Sequence, residues 1–250
     1  MASYLITGSS RGLGLALVNH LVTQSGVGTI FATARSESDA LKKAVVDHPD
    51  LVKFVELDAA DRESVKAAVT KVQDSLGGNG LDFLINNAGI MPFTPDGIEN
   101  MTDLESTFNT NVTTAHNVTS AFLPLLKKGT EKKIVNISTT LGSIGMAPAF
   151  KVFPVYAYKI SKAALNMLTV QYAQAVEAEG FTVICVSPGW LQTDLGGANA
   201  DLPAATGAKA VYDVFSRASV EDTGKFFNIH VPDWEKTEGP NQYDGISPPW

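Results

Sequence analysis

Tyr158 and Lys162 stand four residues apart in the run YAYKISKAAL, a spacing that places both side chains on one face of a helix. A tyrosine phenol has a reference pKa of about 10, so it is a poor acid or base at neutral pH unless a neighbouring cation favours the phenolate. Lys162 can supply that cation, whereas Tyr156 has Ile160 at the fourth position. The pair predicts general acid–base chemistry, although on its own it also fits a half-buried tyrosine beside a solvated lysine.

The composition indicates a globular protein with a large core. The chain has 250 residues, 44% of them apolar, and α/β folds of this length often form one domain, here 1–250. A net charge of −7 argues against nucleic acid or an anionic membrane as a partner. No apolar run approaches the roughly 18 residues that span a bilayer. The opening MASYLITG reads as a strand and not as a secretory signal. We therefore expect a cytoplasmic protein that binds no membrane and has its single cysteine, Cys185, in the core.

Short apolar runs alternate with helix-period segments, which predicts βαβ crossovers and a parallel sheet covered on both faces. The predicted strands lie at 3–7, 28–34, 52–57, 81–86, 133–138, 181–186 and 224–231. The predicted helices lie near 12–24, 37–47, 61–76, 102–126 and 157–179. Ligands of such sheets bind beyond the carboxyl ends of the strands. The Gly/Pro-rich stretches 186–207 and 232–250 are expected to be irregular, and about 190–215 to form a lid over the substrate.

A glycine-rich turn, TGSSRGLG at 7–14, follows the first strand and opens the first helix. Glycines there let the main chain turn tightly and approach a pyrophosphate, while the helix N-terminus offers free N–H groups. A turn of this kind can also merely cap a helix, but its place in a βαβ unit favours dinucleotide binding. The predicted cofactor contacts in this turn are Gly8, Ser10, Arg11, Gly12, Leu13 and Gly14.

The end of the second strand indicates which dinucleotide binds. An NAD site needs a carboxylate at that point for the adenosine ribose, and Ala34-Arg35 offers none. Arg35 and Arg11 can instead form charge-assisted hydrogen bonds to a 2′-phosphate. The alternative is that both arginines are merely solvated surface residues. We predict a preference for NADP(H), and we expect no metal in the site.

These motifs, together with Asn86-Asn87-Ala88-Gly89 after the fourth strand, give the chain a resemblance to the short-chain dehydrogenase/reductase family over essentially its whole length. The resemblance implies a Rossmann-type, doubly wound sheet of seven parallel strands. The segments SPGWLQTDLGGANADL and YDGISPPW look more narrowly like the carbonyl reductase branch that includes C-factor and Sniffer-like proteins.

The resemblance also implies residue roles. Asp58 would contact the adenine, and Asn87, Ala88 and Gly89 would line the adenosine side. Asn111 would hold a water in a proton relay, and Lys162 would bind the nicotinamide ribose and lower the pKa of Tyr158. The residues implied to place the nicotinamide are Pro188, Gly189 and Thr193.

One position departs from the family pattern. The family carries its catalytic serine where this chain has Thr139, in the run Asn136-Ile137-Ser138-Thr139. A threonine hydroxyl still donates a hydrogen bond, but its β-branch stiffens the side chain. Ser138 should point to the other face if the strand continues, and Ser143 is a second alternative. Our interpretation is that Thr139 fills the role.

The resulting hypothesis is hydride transfer from NADPH to a ketone or aldehyde, with Tyr158 as proton donor and Thr139 bound to the developing oxyanion. Mostly apolar residues on the loops beyond the strand ends favour a lipophilic substrate; the candidates are Met91, Leu141, Met146, Phe150, Phe153, Trp190 and Leu195. The alternatives are alcohol oxidation in the same site, a nonredox reaction, or a catalytically lapsed sensor that only binds dinucleotide. The resemblance further implies a homodimer or homotetramer.

Overall fold

The computed structural model describes residues 1–250 and has one main sheet of seven parallel strands. These strands are β1 (Ala2–Thr7), β2 (Val27–Ala34), β3 (Val52–Glu56), β4 (Phe83–Asn86), β5 (Lys133–Ile137), β6 (Thr182–Ser187) and β9 (Phe226–Asn228). Their order across the sheet is β3-β2-β1-β4-β5-β6-β9. Two short strands, β7 (Leu191–Gln192) and β8 (Leu202–Pro203), pair with each other outside it. The order reverses at β1, so a crevice opens beyond the carboxyl ends of β1 and β4.

Helices cover both faces of this sheet. They are α1 (Gly12–Leu21), α2 (Asp39–Asp47), α3 (Arg62–Leu76), α4 (Leu104–Phe108), α5 (Thr114–Lys128), α6 (Tyr156–Ala175) and α7 (Ala204–Arg217). One hydrophobic cluster joins the sheet to α1, α2 and α7 through side chains such as Leu17, Leu41 and Phe215. A second joins it to α3, α5 and α6 through Val72, Phe122 and others. The chain is therefore one α/β domain of the predicted class, and no helix is long and apolar enough to cross a membrane.

Two helical predictions need correction. We expected a single helix over 102–126, but the structure has three consecutive helical elements there: α4, a five-residue π-helix at Asn109–Thr113, and α5. Most of the second half of the predicted lid is not a loop, because α7 begins at Ala204. The sequence disguises α7 because Pro203 stands directly before it and Gly207 lies in its first half, although its alanines favour a helix. A Cβ at Gly207 would meet the Leu191 side chain at 2.5 Å, so a larger residue there would force that side chain to move.

Candidate active site

The glycine-rich turn between β1 and α1 forms an open cradle of main-chain groups. Gly8 and Gly12 have φ values of +70° and +56°, a left-handed conformation that favours glycine. Gly14 lies so close to the Gly8 carbonyl that a Cβ would collide with it. No side chain caps the N-terminus of α1, where free N–H groups and the helix dipole favour an anion. The cradle fits the pyrophosphate of a dinucleotide.

The carboxyl end of β4 is tied to this turn through Thr7. The Thr7 hydroxyl accepts hydrogen bonds from the N–H groups of Asn87 at 2.9 Å and Ala88 at 3.1 Å. The Asn87 side-chain amide donates in turn to the Thr7 carbonyl at 2.8 Å. These bonds fix the spacing of the two strand ends across the crevice.

The predicted adenosine contacts lie along the ends of β2 and β3. Arg35 is exposed directly after β2. The Ser10 carbonyl accepts a hydrogen bond at 2.6 Å from Ser38, which caps α2. Asp58 follows β3 and uses one carboxylate oxygen to accept the N–H of Ala60 at 3.0 Å. Arg35 and Asp58, which were predicted from the ends of β2 and β3, thus lie on the same edge of the sheet as the glycine-rich turn.

Arg11 has a partner that the sequence did not indicate. Its guanidinium lies 3.4 Å from the carboxylate of Asp194, and both side chains are 76% exposed. Thr193 packs beside Gly12, where an added Cβ would lie 3.5 Å from the threonine methyl. The segment after β6 therefore folds over the glycine-rich turn. Exposed ion pairs contribute little free energy, so Arg11 can exchange Asp194 for a phosphate.

The segment that starts at Pro188 is held from the far side by Tyr243. The Tyr243 hydroxyl accepts the N–H of Trp190 at 3.0 Å and donates to the Asp201 carboxylate at 2.5 Å. Gly189, with φ of +83°, packs against the Tyr243 ring, which a Cβ would approach to 3.1 Å. The part of the predicted lid that precedes α7 is consequently held by Tyr243 near 190 and near 201.

Lys162 is buried on α6, with Asn111 nearby. Its ammonium donates to the Ile137 carbonyl at 2.6 Å and lies 5.7 Å from the centre of the Tyr158 ring. Burial lowers the pKa of Lys162 to about 8. A Cβ on Gly89 would lie 3.1 Å from the Asn111 amide oxygen and 3.7 Å from the Lys162 nitrogen, so these three residues meet at one point.

Asn111 lies within the π-helix and is 1% exposed. Its amide oxygen accepts the N–H of Ile90 at 2.8 Å, and its amide nitrogen donates to the Ile90 carbonyl and the Ser161 hydroxyl, each at 2.9 Å. Both polar atoms of the side chain thus have protein partners, and the side chain holds the main chain after Gly89 in place. The water-holding role that the family resemblance implies for Asn111 stays a prediction.

Tyr158 and Thr139 lie side by side. Burial raises the pKa of the Tyr158 phenol, and a hydrogen bond with the Thr139 side chain opposes that rise without overcoming it. In the cofactor-free protein the net pKa of Tyr158 is therefore raised, whereas the resemblance implies that Lys162 lowers it. Tyr158 stays protonated at neutral pH, which is the form that a proton donor requires.

The two alternatives to Thr139 are occupied elsewhere. β5 ends at Ile137, and the buried Ser138 donates its hydroxyl to the Asn166 amide oxygen at 2.5 Å. Ser143 is also buried and donates to the Pro249 carbonyl at 2.5 Å. Of the three hydroxyl groups, that of Thr139 borders the Tyr158 phenol, and its catalytic role stays a prediction. Asn166 was missed, although its position four residues after Lys162 continues the row that begins at Tyr158.

Comparison with known proteins agrees with this geometry. A family model described as short chain dehydrogenase matches residues 3–202. The short-chain dehydrogenase/reductase AacuF of Aspergillus aculeatus is 37% identical over 199 residues, which cover 76% of this chain and 74% of AacuF.

Two solved structures are similar over most of their length. The NADPH-bound carbonyl reductase from chicken fatty liver has a TM-score of 0.85 and 35% identity, covering 91% of this chain and 96% of that one. The carbonyl reductase Sniffer of Drosophila melanogaster has a TM-score of 0.87 and 30% identity over the full length of both chains. The predicted resemblance to carbonyl reductases is confirmed, and the chain belongs to the short-chain dehydrogenase/reductase family.

Proposed function

We propose that this protein is an NADPH-dependent reductase of ketones or aldehydes on lipophilic small molecules. The observation that carries the proposal is the meeting of Tyr158, Thr139 and Lys162 at the sheet edge that also holds the glycine-rich turn. The similarity to two carbonyl reductases, one of them with NADPH bound, supports both the reaction and the cofactor.

When bound, NADPH supplies the hydride that reduces the carbonyl carbon. The free N–H groups of the glycine-rich turn would hold its pyrophosphate, and Arg35 and Arg11 its 2′-phosphate. Asp58 and the Asn87–Gly89 segment would line the adenosine side. Lys162 would hold the nicotinamide ribose, and Pro188, Gly189 and Thr193 the nicotinamide.

In the proposed reaction Tyr158 donates its proton to the substrate oxygen as negative charge develops there. Thr139 donates a hydrogen bond to the same oxygen, a contact that strengthens as the charge grows. The Lys162 ammonium, 5.7 Å from the ring, then stabilises the phenolate that remains. Burial keeps the phenol protonated before the reaction, which is the form that carbonyl reduction requires.

Exposed apolar side chains on the loops beyond the strand ends support an apolar substrate. Large hydrophobic side chains that lie on loops beyond the strand ends and are at least about a third exposed are Ile90, Phe93, Ile144, Val152, Trp190 and Leu195. Phe150, predicted to line the pocket, is 2% exposed and belongs to the interior instead. We propose that this apolar rim accepts a lipophilic carbonyl compound beneath the 190–203 segment, which acts as the lid.

We further propose a cytoplasmic homodimer or homotetramer. Exposed hydrophobic side chains on α4 and α6 support self-association; they are Leu104, Phe108, Ile160 and Met167.

The proposal is tested by following the absorbance of NADPH and NADH in parallel against ketones and aldehydes, including aromatic diketones and quinones. We expect oxidation of NADPH, faster than of NADH, with at least one lipophilic compound. If NADPH binds and no compound consumes it, the protein is a dinucleotide sensor or runs a nonredox reaction, and Thr139 becomes the first residue to suspect.

A further inference from the structure

A row of three side chains on α6 faces the segment that carries Thr139. Tyr158, Lys162 and Asn166 follow one another at intervals of four residues, so they lie on one face of the helix. All three are less than a tenth exposed. The third, Asn166, forms its side-chain hydrogen bonds with neither the Tyr158 phenol nor the glycine-rich turn, and the mechanism above assigns it no role.

Asn166 holds the Thr139 segment on both sides. Its amide oxygen accepts the Ser138 hydroxyl at 2.5 Å, one residue before Thr139. Its amide nitrogen donates to the Gly142 carbonyl at 3.4 Å, three residues after it. Ser138 and Asn166 are 1% and 3% exposed, so water does not compete for these bonds.

The same segment is pressed against Lys162. The Lys162 ammonium donates to the Ile137 carbonyl at 2.6 Å. Gly142 packs so tightly on this lysine that a Cβ would lie 2.8 Å from the Lys162 Cβ. Residues 137–142 therefore follow the surface of α6, and Thr139 is carried where its side chain reaches Tyr158.

We propose that Asn166 is a positioning residue for the reaction: by binding Ser138 and Gly142, it fixes the Thr139 hydroxyl against the Tyr158 phenol on the same helix. This inference rests on the proposed carbonyl reduction. It adds that Asn166 sets the distance between the Thr139 hydroxyl and the Tyr158 hydroxyl. A misplacement of about 1 Å at a reacting centre can reduce a rate by roughly 10²-fold, so this distance matters.

A purely structural role for these polar groups is the competing explanation, and the chain contains a matched control for it. Asn136, on β5, donates to the Thr169 hydroxyl on α6 at 2.9 Å. These two residues are 2% and 0% exposed, and they join the same strand and helix as the Asn166 bonds do. Their side chains form no hydrogen bond with residues 138–142. Thr169→Val removes a buried hydrogen bond of the same kind without loosening Thr139.

The experiment compares Ser138→Ala, Asn166→Leu and Thr169→Val with the wild-type protein. The first readout is hydrogen exchange of the cofactor-free chain over 139–146. The second is the single-turnover rate of NADPH oxidation with a carbonyl substrate, beside the Kd for NADPH. Ser138→Ala removes one hydroxyl only, which keeps the test available if Asn166→Leu does not fold.

We expect faster exchange over 139–146 and a loss of about 10- to 100-fold in the single-turnover rate for Ser138→Ala and Asn166→Leu. The Kd for NADPH should stay within about twofold of the wild-type value, because no cofactor contact is removed. Thr169→Val should leave both the exchange over 139–146 and the rate near those of the wild type.

Equal effects of Thr169→Val and Ser138→Ala on rate and exchange would overturn the proposal, since the bonds to Asn166 would then matter only for general stability. Failure of the proposed reaction looks different: the wild-type protein would consume no NADPH with any carbonyl compound. Exchange over 139–146 would still decide whether Asn166 orders this segment, and unchanged exchange in Ser138→Ala and Asn166→Leu would refute the positioning role.

Discussion

Replacing Gly14 with alanine should weaken NADPH binding and destabilise the protein together. Gly14 is the third residue of α1, and a Cβ there would collide with the Gly8 carbonyl and lie 2.6 Å from the Asn87 amide nitrogen. Both neighbours must move, and both belong to the cradle that we propose for the pyrophosphate. The same movement of Gly8 and Asn87 should therefore lower both the stability of the fold and the affinity for NADPH.

The expected size follows from two opposing effects. Forcing a methyl group into a packed site costs about 1–3 kcal/mol. Alanine regains up to about 1 kcal/mol over glycine within a helix, and less in its first turn. The net loss of about 1–2 kcal/mol corresponds to a fall of roughly 2–8 °C in Tm for a chain of this size. The displaced Gly8 main chain should raise the Kd for NADPH about tenfold or more, equivalent to about 1.4 kcal/mol of binding free energy.

Gly26→Ala is the matched control. Gly26 has φ of +82°, and nothing lies within 4 Å of the position of its Cβ, so alanine there meets backbone strain alone, of about 1–2 kcal/mol. Its Tm should fall by a similar amount while NADPH binding, measured by nicotinamide fluorescence, stays unchanged. If Gly14→Ala bound NADPH as tightly as the wild type, or no more weakly than Gly26→Ala, the cradle assignment would be wrong.

Three further predictions concern charge. Arg35→Asp should raise the ratio of the KM for NADPH to the KM for NADH by roughly 10- to 100-fold, because a charge-assisted hydrogen bond to the 2′-phosphate is lost. An unchanged ratio would contradict the assignment of Arg35 to the 2′-phosphate. Burial would raise the pKa of Asp82, but hydrogen bonds from the N–H groups of Ser3 and Thr130 hold it below its ordinary value. Asp82 therefore stabilises the fold above pH 4 and loses this effect as pH falls through its lowered pKa. Asp82→Asn should cost about 1–3 kcal/mol in urea unfolding at pH 7 and clearly less at pH 3; an equal cost at both would refute this. Burial lowers the pKa of Lys162 to about 8, so the charged lysine destabilises the folded, cofactor-free protein. This destabilisation is complete below pH 8 and disappears as the pH rises toward about 10.4. Lys162→Met should raise the Tm of the cofactor-free chain at pH 7 more than at pH 10, and a pH-independent change would argue against that cost.

The parts of the site that the sequence predicted correctly are those set by local geometry. Tyr158 and Lys162 share a helix face because of their spacing, and the glycine-rich turn must follow β1 to have its conformation. The Arg35 and Asp58 positions follow from where the apolar runs of β2 and β3 end. These inferences need only the period of each element and the rule that parallel strands end at one edge.

The remaining features depend on contacts between distant parts of the chain. No local pattern indicates that Ser143 binds Pro249, more than a hundred residues away, or that Tyr243 anchors the segment after β6. α7 is obscured by Gly207, which lies against the Leu191 side chain. The sequence likewise shows the lysine near Tyr158 but not the burial that raises the pKa of its phenol, because that burial depends on distant parts of the chain.

The central claim is that Tyr158 donates the proton that completes carbonyl reduction. The most direct test compares Tyr158→Phe with the wild-type protein in single-turnover oxidation of NADPH by the best carbonyl substrate, alongside the Kd for NADPH. We predict a rate loss of about 10²- to 10⁴-fold, the usual worth of a positioned general acid, with the Kd little changed. A Tyr158→Phe variant that reduces the substrate at close to the wild-type rate, with NADPH bound as before, would contradict the account.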